Sequence, residues 1–412
     1  MAIQSTYIPN EYLLEKAQNC WQLLTANGFI LAAANQTDNY QRVWARDCAV
    51  AALAITGGKK NQLYQPLINS LFVLAQNANE YGQIPSNVQI GKNGDVVTVS
   101  FGGPVGRTDT SFWWIIAVIS LLKVHYNEQL AEIARTQINK IAILSNIWEV
   151  NNKHLMFVPA SSNWADEYIT NGYVLHDQLL RYWAFLVAGN YFNNPSLQTK
   201  ALKIKQAIQH HFLLEEVEGI PTVFTHVLKK HIYKHPLNQQ FTASFSTTDI
   251  VNRYDAWSIA LILILNLGNS NTNQQLIIAL KEVYYRFNKM GIPAFWPLIK
   301  PNEPDFDKLN LNHHYRFKNL PGHFHNGGIW PVVNGFICWA LANSEHQQFG
   351  HELLQNLELR LQNNIEEYPF PEYFDAISGK PNGVSNLAYS VSGYEIALLG
   401  LNKSPELFQL LK

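Results

Sequence analysis

Cysteine, charge and long apolar runs are all scarce in this chain, and each scarcity excludes a class of protein. The three cysteines, Cys20, Cys48 and Cys338, lie far apart in apolar helical patterns, which favours reduced packing residues in a cytoplasmic protein over a disulfide framework. The most apolar stretch, 256–267, falls short of the ~20 residues that cross a bilayer. Residues 1–12 carry no basic segment followed by an apolar run, so we expect neither a secretory signal nor membrane attachment.

Charged residues make up only 15% of the 412 residues and nearly cancel, with 30 Lys and Arg against 31 Asp and Glu. No basic cluster forms a stripe, so nucleic acid is not an expected partner. The hydrophobic share of 47% is enough to bury a large core. Because no repeat, low-complexity linker or break in composition divides the chain, we expect a single domain over 1–412.

Apolar residues recur at three- and four-residue spacing along the whole chain. This periodicity predicts helices near 11–27, 47–57, 61–78, 111–126, 129–148, 173–190, 196–213, 255–268, 273–289, 330–343, 348–363 and 387–401. Short strands are expected only near 96–101 and 221–225. Six helical hairpins predict an all-α fold, an (α/α)6 barrel; an open helical solenoid is the alternative, but solenoids usually show a sequence repeat.

The long connections between these helices hold most of the glycine, proline, tryptophan and acidic candidates. They are 79–110, 149–172, 214–254, 290–329 and 364–386. Long ordered loops usually carry function, and in a barrel they would gather at one end. There we expect a pocket for a small molecule.

Two motifs near the C-terminus combine groups that hydrogen-bond sugar hydroxyls with aromatic rings that cover a sugar face. They are His325-Asn326-Gly327-Gly328-Ile329-Trp330-Pro331 and Pro371-Glu372-Tyr373-Phe374-Asp375. Glycoside cleavage needs two carboxyls, one to protonate the leaving oxygen and one to activate water or attack. The best partner for Glu372 is Asp166, which follows Trp164 in a loop.

Five blocks in order along the chain resemble the neutral/alkaline invertase family of glycoside hydrolases and, more loosely, the glucosidase module of glycogen-debranching enzymes. Besides the two motifs above they are Tyr40-Gln41-Arg42-Val43-Trp44-Ala45-Arg46-Asp47, Gly106-Arg107-Thr108-Asp109-Thr110-Ser111-Phe112-Trp113-Trp114 and Asn163-Trp164-Ala165-Asp166. The order and spacing are specific for the superfamily and less so for the substrate.

The resemblance implies an inverting hydrolase in which Asp166 is the general acid and Glu372 the general base, about 6.5–9.5 Å apart. Asp47 and Asp109 would bind sugar hydroxyls, and Arg46 and Arg107 would keep neighbouring acids ionised. A general acid needs a raised pKa, for which Trp164 offers an apolar wall. The remaining expected substrate contacts are Trp44, Gln178, His325, Asn326, Trp330 and Tyr373.

Several of these residues have simpler structural interpretations. Arg46-Asp47 could complement a helix dipole, and Asp109 suits a helix N-cap. Glu167 is a rival for Asp166. The rivals of Glu372 are Asp375, Glu366 and Glu367. Trp113 and Trp114 could be core residues.

No metal or cofactor is expected, because the spacing of His313, His314, His323 and His325 lacks a helical metal-binding pattern and two carboxylates need no metal. Thr110 and Ser111 depart from the invertase pattern, so the substrate stays open between sucrose and an α-linked glucose end. A sugar 2-epimerase working through paired histidines on the same barrel is a third hypothesis. The resemblance further implies a homo-oligomer.

Overall fold

The computed structural model describes residues 6–35, 39–218 and 242–411. Six helices form an outer layer with one apolar face each: α1 Glu11–Leu24, α3 Tyr64–Gln76, α5 Glu128–Ile147, α7 Pro195–His211, α9 Ser270–Arg286 and α12 Gln347–Asn364. Six others form an inner layer: α2 Ala45–Gly57, α4 Thr110–Val124, α6 Leu175–Tyr191, α8 Ala256–Ile264, α11 Pro331–Leu341 and α13 Ala388–Leu401. Two shorter helices, α10 Pro304–Leu311 and α14 Pro405–Gln409, complete the set among the described residues.

The inner helices close into a ring, since each packs on the next and α13 returns to α2. They are buried nearly all round, as every residue of α2 shows, because the outer helices cover them on one side and their neighbours fill the other. The backbones of α11 and α13 touch at Gly335 and Gly393, where a Cβ on either glycine would overlap the backbone of the other helix. The chain therefore folds as the (α/α)6 barrel that the periodicity predicts.

Short strands lie in the connections between the helices, and three of them run directly into the inner helices α2, α6 and α8. The strands are β1 Val43–Trp44, β2 Asn87–Ile90, β3 Val96–Ser100, β4 Phe157–Val158, β5 Gly172–Val174, β6 Ser244–Phe245, β7 Ile250–Val251, β8 Tyr254–Asp255, β9 Phe295–Trp296, β10 Tyr373–Phe374 and β11 Pro381–Asn382. All the pairings between them are antiparallel, in the orders β1-β2-β3, β4-β5-β6-β7, β8-β9 and β10-β11. They tie the long loops together at the end of the barrel where the inner helices begin.

The twelve helices predicted from periodicity are confirmed, with bounds that differ by a few residues. The prediction missed α10 and α14, both of which begin with proline and are too short for periodicity to be seen. The strand expected near 96–101 is β3, whereas the one near 221–225 lies outside the described residues. No described helix combines the length and apolarity that a bilayer crossing requires.

Candidate active site

A cavity of about 550 Å³ opens at the N-terminal ends of the inner helices. Its walls come from four of the five long connections and from the segment before α2, as expected if the loops gather at one end. Its size falls in the range of small-molecule sites. Of the sequence-predicted residues it brings together Trp44, Arg46, Asp47, Arg107, Trp164, Asp166, His325, Trp330 and Glu372.

Glu372 lies at the start of the β10–β11 hairpin and is buried in the cavity wall. The hydroxyl of Tyr40 donates to its Oε1 at 2.8 Å, and the backbone N–H of Val384 donates to Oε2 at 3.3 Å. Burial raises the pKa of Glu372, and these donors and the Lys318 charge only partly offset that effect. The contacts therefore orient a carboxylate that keeps a raised pKa.

Asp166 lines the same cavity as Glu372 and is paired with an arginine. Arg107 Nη2 donates to Asp166 Oδ2 at 2.8 Å, and Arg107 Nη1 donates to the carbonyl of Ser161. Burial acts to raise the pKa of Asp166, but the charges of Arg107 and Arg46 outweigh it and hold the pKa below its usual value. The expectation that Trp164 gives Asp166 a raised pKa is thus wrong for the free protein, because guanidinium groups lie nearby.

Arg46 and Asp47 occupy the first turn of α2 and point to different partners. Arg46 Nη1 pairs with Asp109 Oδ2 at 3.4 Å. Burial raises the pKa of Asp47 to about 7 in spite of Arg46, and burial likewise raises the pKa of Asp109. The prediction that the two arginines keep neighbouring acids ionised agrees with the lowered pKa of Asp166. At Asp47 and Asp109 desolvation outweighs the arginine charges, so the pKa is raised instead.

Aromatic rings form one side of the cavity. The imidazole of His325 stacks on Trp330, with ring centroids 5.5 Å apart and planes 7° apart, and Trp164 meets both rings edge-on. Burial lowers the pKa of His325 to about 3, so its ring is neutral. Such a wall can cover the apolar face of a sugar ring while His325 offers a neutral hydrogen-bonding group.

Four predicted contacts lie outside the cavity lining. Asp109 holds the N-cap position of α4 without capping it, and its carboxylate is fully buried behind Arg46. Gln178 bonds the backbone of Met156 through both its oxygen and its nitrogen. Asn326 does the same with Ile299. The ring of Tyr373 stacks against Trp330 at 5.8 Å. These side chains therefore hold in place the loops and rings that line the cavity.

The acids that rival Asp166 and Glu372 for the catalytic roles differ in whether they line the cavity. Glu167 also lines the cavity, where it pairs with Lys318 at 3.4 Å, and burial raises its pKa. Asp375 lies outside the lining and accepts bonds from its own turn, at Ile377 N and Ser378 N. Glu366 and Glu367 are exposed. Trp113 and Trp114 are fully buried core residues.

The sequence analysis missed several residues that line the cavity. They include Tyr40, Arg42, Asn87, His314, Lys318 and Tyr389. Tyr40 stands in the first motif block, so its position there was an available signal. For Lys318 and Tyr389 no local pattern exists, because only the packing of segments that are distant along the chain brings them to this wall. Among the described residues no three His, Cys, Asp or Glu side chains form a group that could hold a metal ion.

Sequence comparison relates part of the chain to a known family. Residues 243–399 match the family model described as alkaline and neutral invertase, so the resemblance found in the motifs is confirmed there. A curated relative, the probable alkaline/neutral invertase F of Arabidopsis thaliana, is 20% identical, with 89% of this chain and 81% of that protein covered.

Solved structures share the barrel at lower identity. The mannosylglycerate hydrolase of Thermus thermophilus in complex with glucose has a TM-score of 0.62 at 12% identity, covering 94% of this chain and 99% of that one. A bacterial glucoamylase complexed with acarbose also has a TM-score of 0.62, at 14% identity, covering 98% of this chain and 58% of that one. These likenesses show the six-hairpin fold.

Proposed function

We propose that this chain, which is a glycoside hydrolase, cleaves a small sugar of the sucrose type with inversion, using Asp166 and Glu372. The observation that carries the proposal is that both carboxyls line one cavity with pKa values shifted in opposite directions. Carboxyls whose surroundings separate their pKa values are typical of acid and base partners. A cavity of only about 550 Å³ suits a short soluble substrate better than a polymer.

The roles follow the resemblance, with Asp166 as general acid and Glu372 as general base. Glu372 fits the base, since two donors face its carboxylate and leave it oriented. In the free protein the order of protonation is the reverse, because Arg107 favours the charged form of Asp166 while burial favours neutral Glu372. The reverse assignment is therefore the second candidate. In the proposed one, sugar binding must weaken the hold of Arg107 on Asp166.

The sugar would lie against the aromatic wall of Trp164 and Trp330, with Asp47 accepting from its hydroxyls. Asp47 has a pKa raised to about 7, so near neutrality it can both accept and donate. The substrate alternative is an α-linked glucose end. It has support in the solved glucoamylase complex of the same fold, and Thr110 and Ser111 are closer to the pattern of glycogen-debranching enzymes than to that of invertases.

The epimerase alternative would use His314 and His325, which both line the cavity. The pKa of His325 is lowered to about 3 by burial, so its ring cannot hold a proton for transfer near neutral pH. We therefore favour hydrolysis. The three cysteines are free and buried, and a cytoplasmic location and a homo-oligomer remain parts of the proposal.

The test measures sugar release from sucrose and from a panel of α-glucosides by wild type, Asp166→Asn and Glu372→Gln. Both variants are expected to lose several orders of magnitude on the natural substrate. A glycosyl fluoride, whose leaving group needs no proton, separates the roles: the acid variant keeps activity on it and the base variant does not. Azide, which attacks without a base, should restore only the base variant.

Each outcome decides one point. Cleavage of sucrose alone supports the invertase-type substrate, and cleavage of glucosides alone moves the substrate to the glucosidase alternative. Retained fluoride activity in Glu372→Gln, with azide rescue of Asp166→Asn, would establish the reversed roles. Full activity in both variants would contradict the two-carboxylate mechanism, and isomerisation assays would then test the epimerase.

A further inference from the structure

A further carboxyl, Asp177, lies in the first turn of α6, and the proposed mechanism does not use it. Its side chain is fully buried, and no described lysine or arginine forms an ion pair with it. Its Oδ1 accepts from the hydroxyl of Thr108 at 2.9 Å, and its Oδ2 accepts from Nδ2 of Asn163 at 2.8 Å. A buried carboxyl without a cation is costly when charged, so its presence here calls for an explanation.

The two partners of Asp177 belong to the two segments that form the Arg107 and Asp166 pair. Asn163 Oδ1 in turn accepts from the backbone N–H of Ala165 at 3.0 Å, which fixes the turn before Asp166. Thr108 follows Arg107 directly, and its backbone N–H donates to the carbonyl of Ser162 at 2.7 Å. Asp177 therefore joins the two segments. Its partner Thr108 is next to Arg107 and its partner Asn163 is three residues before Asp166, and both Arg107 and Asp166 line the cavity.

The surroundings favour the neutral form of Asp177. Burial, followed by the charge of Asp109 at the N-terminal end of α4, raises its pKa to about 8. Arg46 on α2 opposes this only weakly, and His176 beside it is neutral, with a pKa lowered to about 3 by burial. The neutral group keeps its hydrogen bonds. The protonated oxygen of Asp177 can donate to Thr108 Oγ1, and the Thr108 hydroxyl can then donate to the Ser162 carbonyl at 3.2 Å.

We propose that Asp177 is a positioning residue for glycoside cleavage, which as a neutral carboxyl joins Thr108 to Asn163 and so fixes the segment that carries Asp166 against the segment that carries Arg107. It touches neither the sugar nor the reacting atoms, and its effect passes through the Asp166 segment. The inference rests on the proposed function in one respect, namely that Asp166 takes part in the reaction. The joining of the two segments stands on the hydrogen bonds alone.

The experiment compares Asp177→Asn with Asp177→Ala on the substrate that wild type cleaves. An asparagine at this position can accept from Asn163 and donate to Thr108, as the neutral acid does, so kcat should stay within about twofold of wild type. Alanine removes both bonds and should lower kcat at least about tenfold while KM changes little, because a misplaced reacting group costs turnover. Rescue by the asparagine separates positioning from a need for charge.

A second measurement does not depend on activity. The infrared difference between wild type and Asp177→Asn should contain the carbonyl band of a protonated carboxyl at pH 7, and this band should fade as the pH rises through about 8. In a crystal structure of Asp177→Ala, the 2.8 Å contact between Arg107 and Asp166 should be lengthened or lost.

Two results would overturn the inference: wild-type kcat in Asp177→Ala, or an equal loss in both variants, which would show that the charge matters. If the alanine variant does not fold, the infrared band decides. Absence of the band at pH 7 would overturn the inference, and its presence would support a neutral Asp177 between Thr108 and Asn163. If wild type cleaves no sugar at all, the proposed function fails, while the infrared band and the crystal contact still decide the role of Asp177.

Discussion

Tyr40 and Glu372 are separated by 332 residues in the chain, and the hydroxyl of one donates to the carboxylate of the other at 2.8 Å. Tyr40 lies before α2 and Glu372 before α13, so the bond joins the first and last inner helices at the point where the ring closes. Burial and the nearby Glu372 charge raise the pKa of Tyr40 well above its usual value. Tyr40 is therefore a permanent donor that stabilises the charged form of Glu372.

Tyr40→Phe removes that donor and leaves the ring in place. A hydrogen bond to a charged group contributes about 1.5–3 kcal/mol, so kcat/KM should fall by about tenfold or more. Because the bond lowers the pKa of Glu372, its loss raises that pKa further, and the acid limb of the pH profile should move to higher pH if Glu372 is the base. Tyr81→Phe, at an exposed tyrosine, is the control. An unmoved acid limb would count against the base role.

Gly383→Ala should displace Glu372 and remove activity. Gly383 has a φ of +80°, and a Cβ there would overlap both the Cβ and the carboxylate of Glu372. Gly379→Ala is a matched control in the same hairpin, since it has a φ of +72° but meets the flexible side chain of Arg360. We expect about 1 kcal/mol of backbone strain in each variant and a further decrease in Tm for Gly383→Ala, because Glu372 must shift. A loss of at least about a hundredfold in kcat is expected only for Gly383→Ala. Equal kcat values would show that Glu372 can move without cost.

Arg107→Gln should destabilise the protein and raise the pKa of Asp166. Breaking a buried pair costs about 3–5 kcal/mol, an upper figure here because Asp166 is partly exposed. The pKa of Asp166 is lowered in the folded state, so its stabilisation is present above the unfolded pKa and is lost as pH falls through the folded one.

The measurement for Arg107→Gln is urea unfolding across the acid range, with the exposed Arg316→Gln as the control. The deficit of Arg107→Gln should be largest near neutrality and should narrow on acidification. A deficit that does not change with pH would mean that the lost contact with the Ser161 carbonyl, and not the charge of Asp166, causes it.

Asp47→Asn should stabilise the protein near neutrality while impairing the reaction. The folded pKa is raised to about 7, so wild type bears a growing cost as pH rises from the unfolded pKa through 7, and the neutral asparagine avoids it. The gain should be absent near pH 3 and reach about 2–4 kcal/mol at pH 8. Exposed Asp95→Asn is the control. If Asp47 binds sugar hydroxyls, kcat/KM should fall at least about tenfold. Unchanged kinetics would show that Asp47 does not bind the substrate.

The parts of the fold that sequence could predict are those controlled by local pattern. Helices such as α5 and α12 follow from a one-sided apolar period, and the motif blocks locate Asp166 and Glu372 within loops. Gln178 and Asn326 were predicted as sugar contacts because they stand in motif positions. The structure instead turns their amides to backbone groups, since a buried amide must find partners wherever the chain provides them.

The sequence by itself determined that the chain forms a helical barrel with two acid-bearing loops, because apolar periodicity and short motifs are properties of neighbouring residues. Only the tertiary structure decided which acids are charged. Arg107, from another loop, holds Asp166 ionised, whereas burial raises the pKa values of Asp47 and Asp177 and so favours their neutral forms. Protonation depends on desolvation and on charges that are distant along the chain but close in space, and no local pattern records those distances.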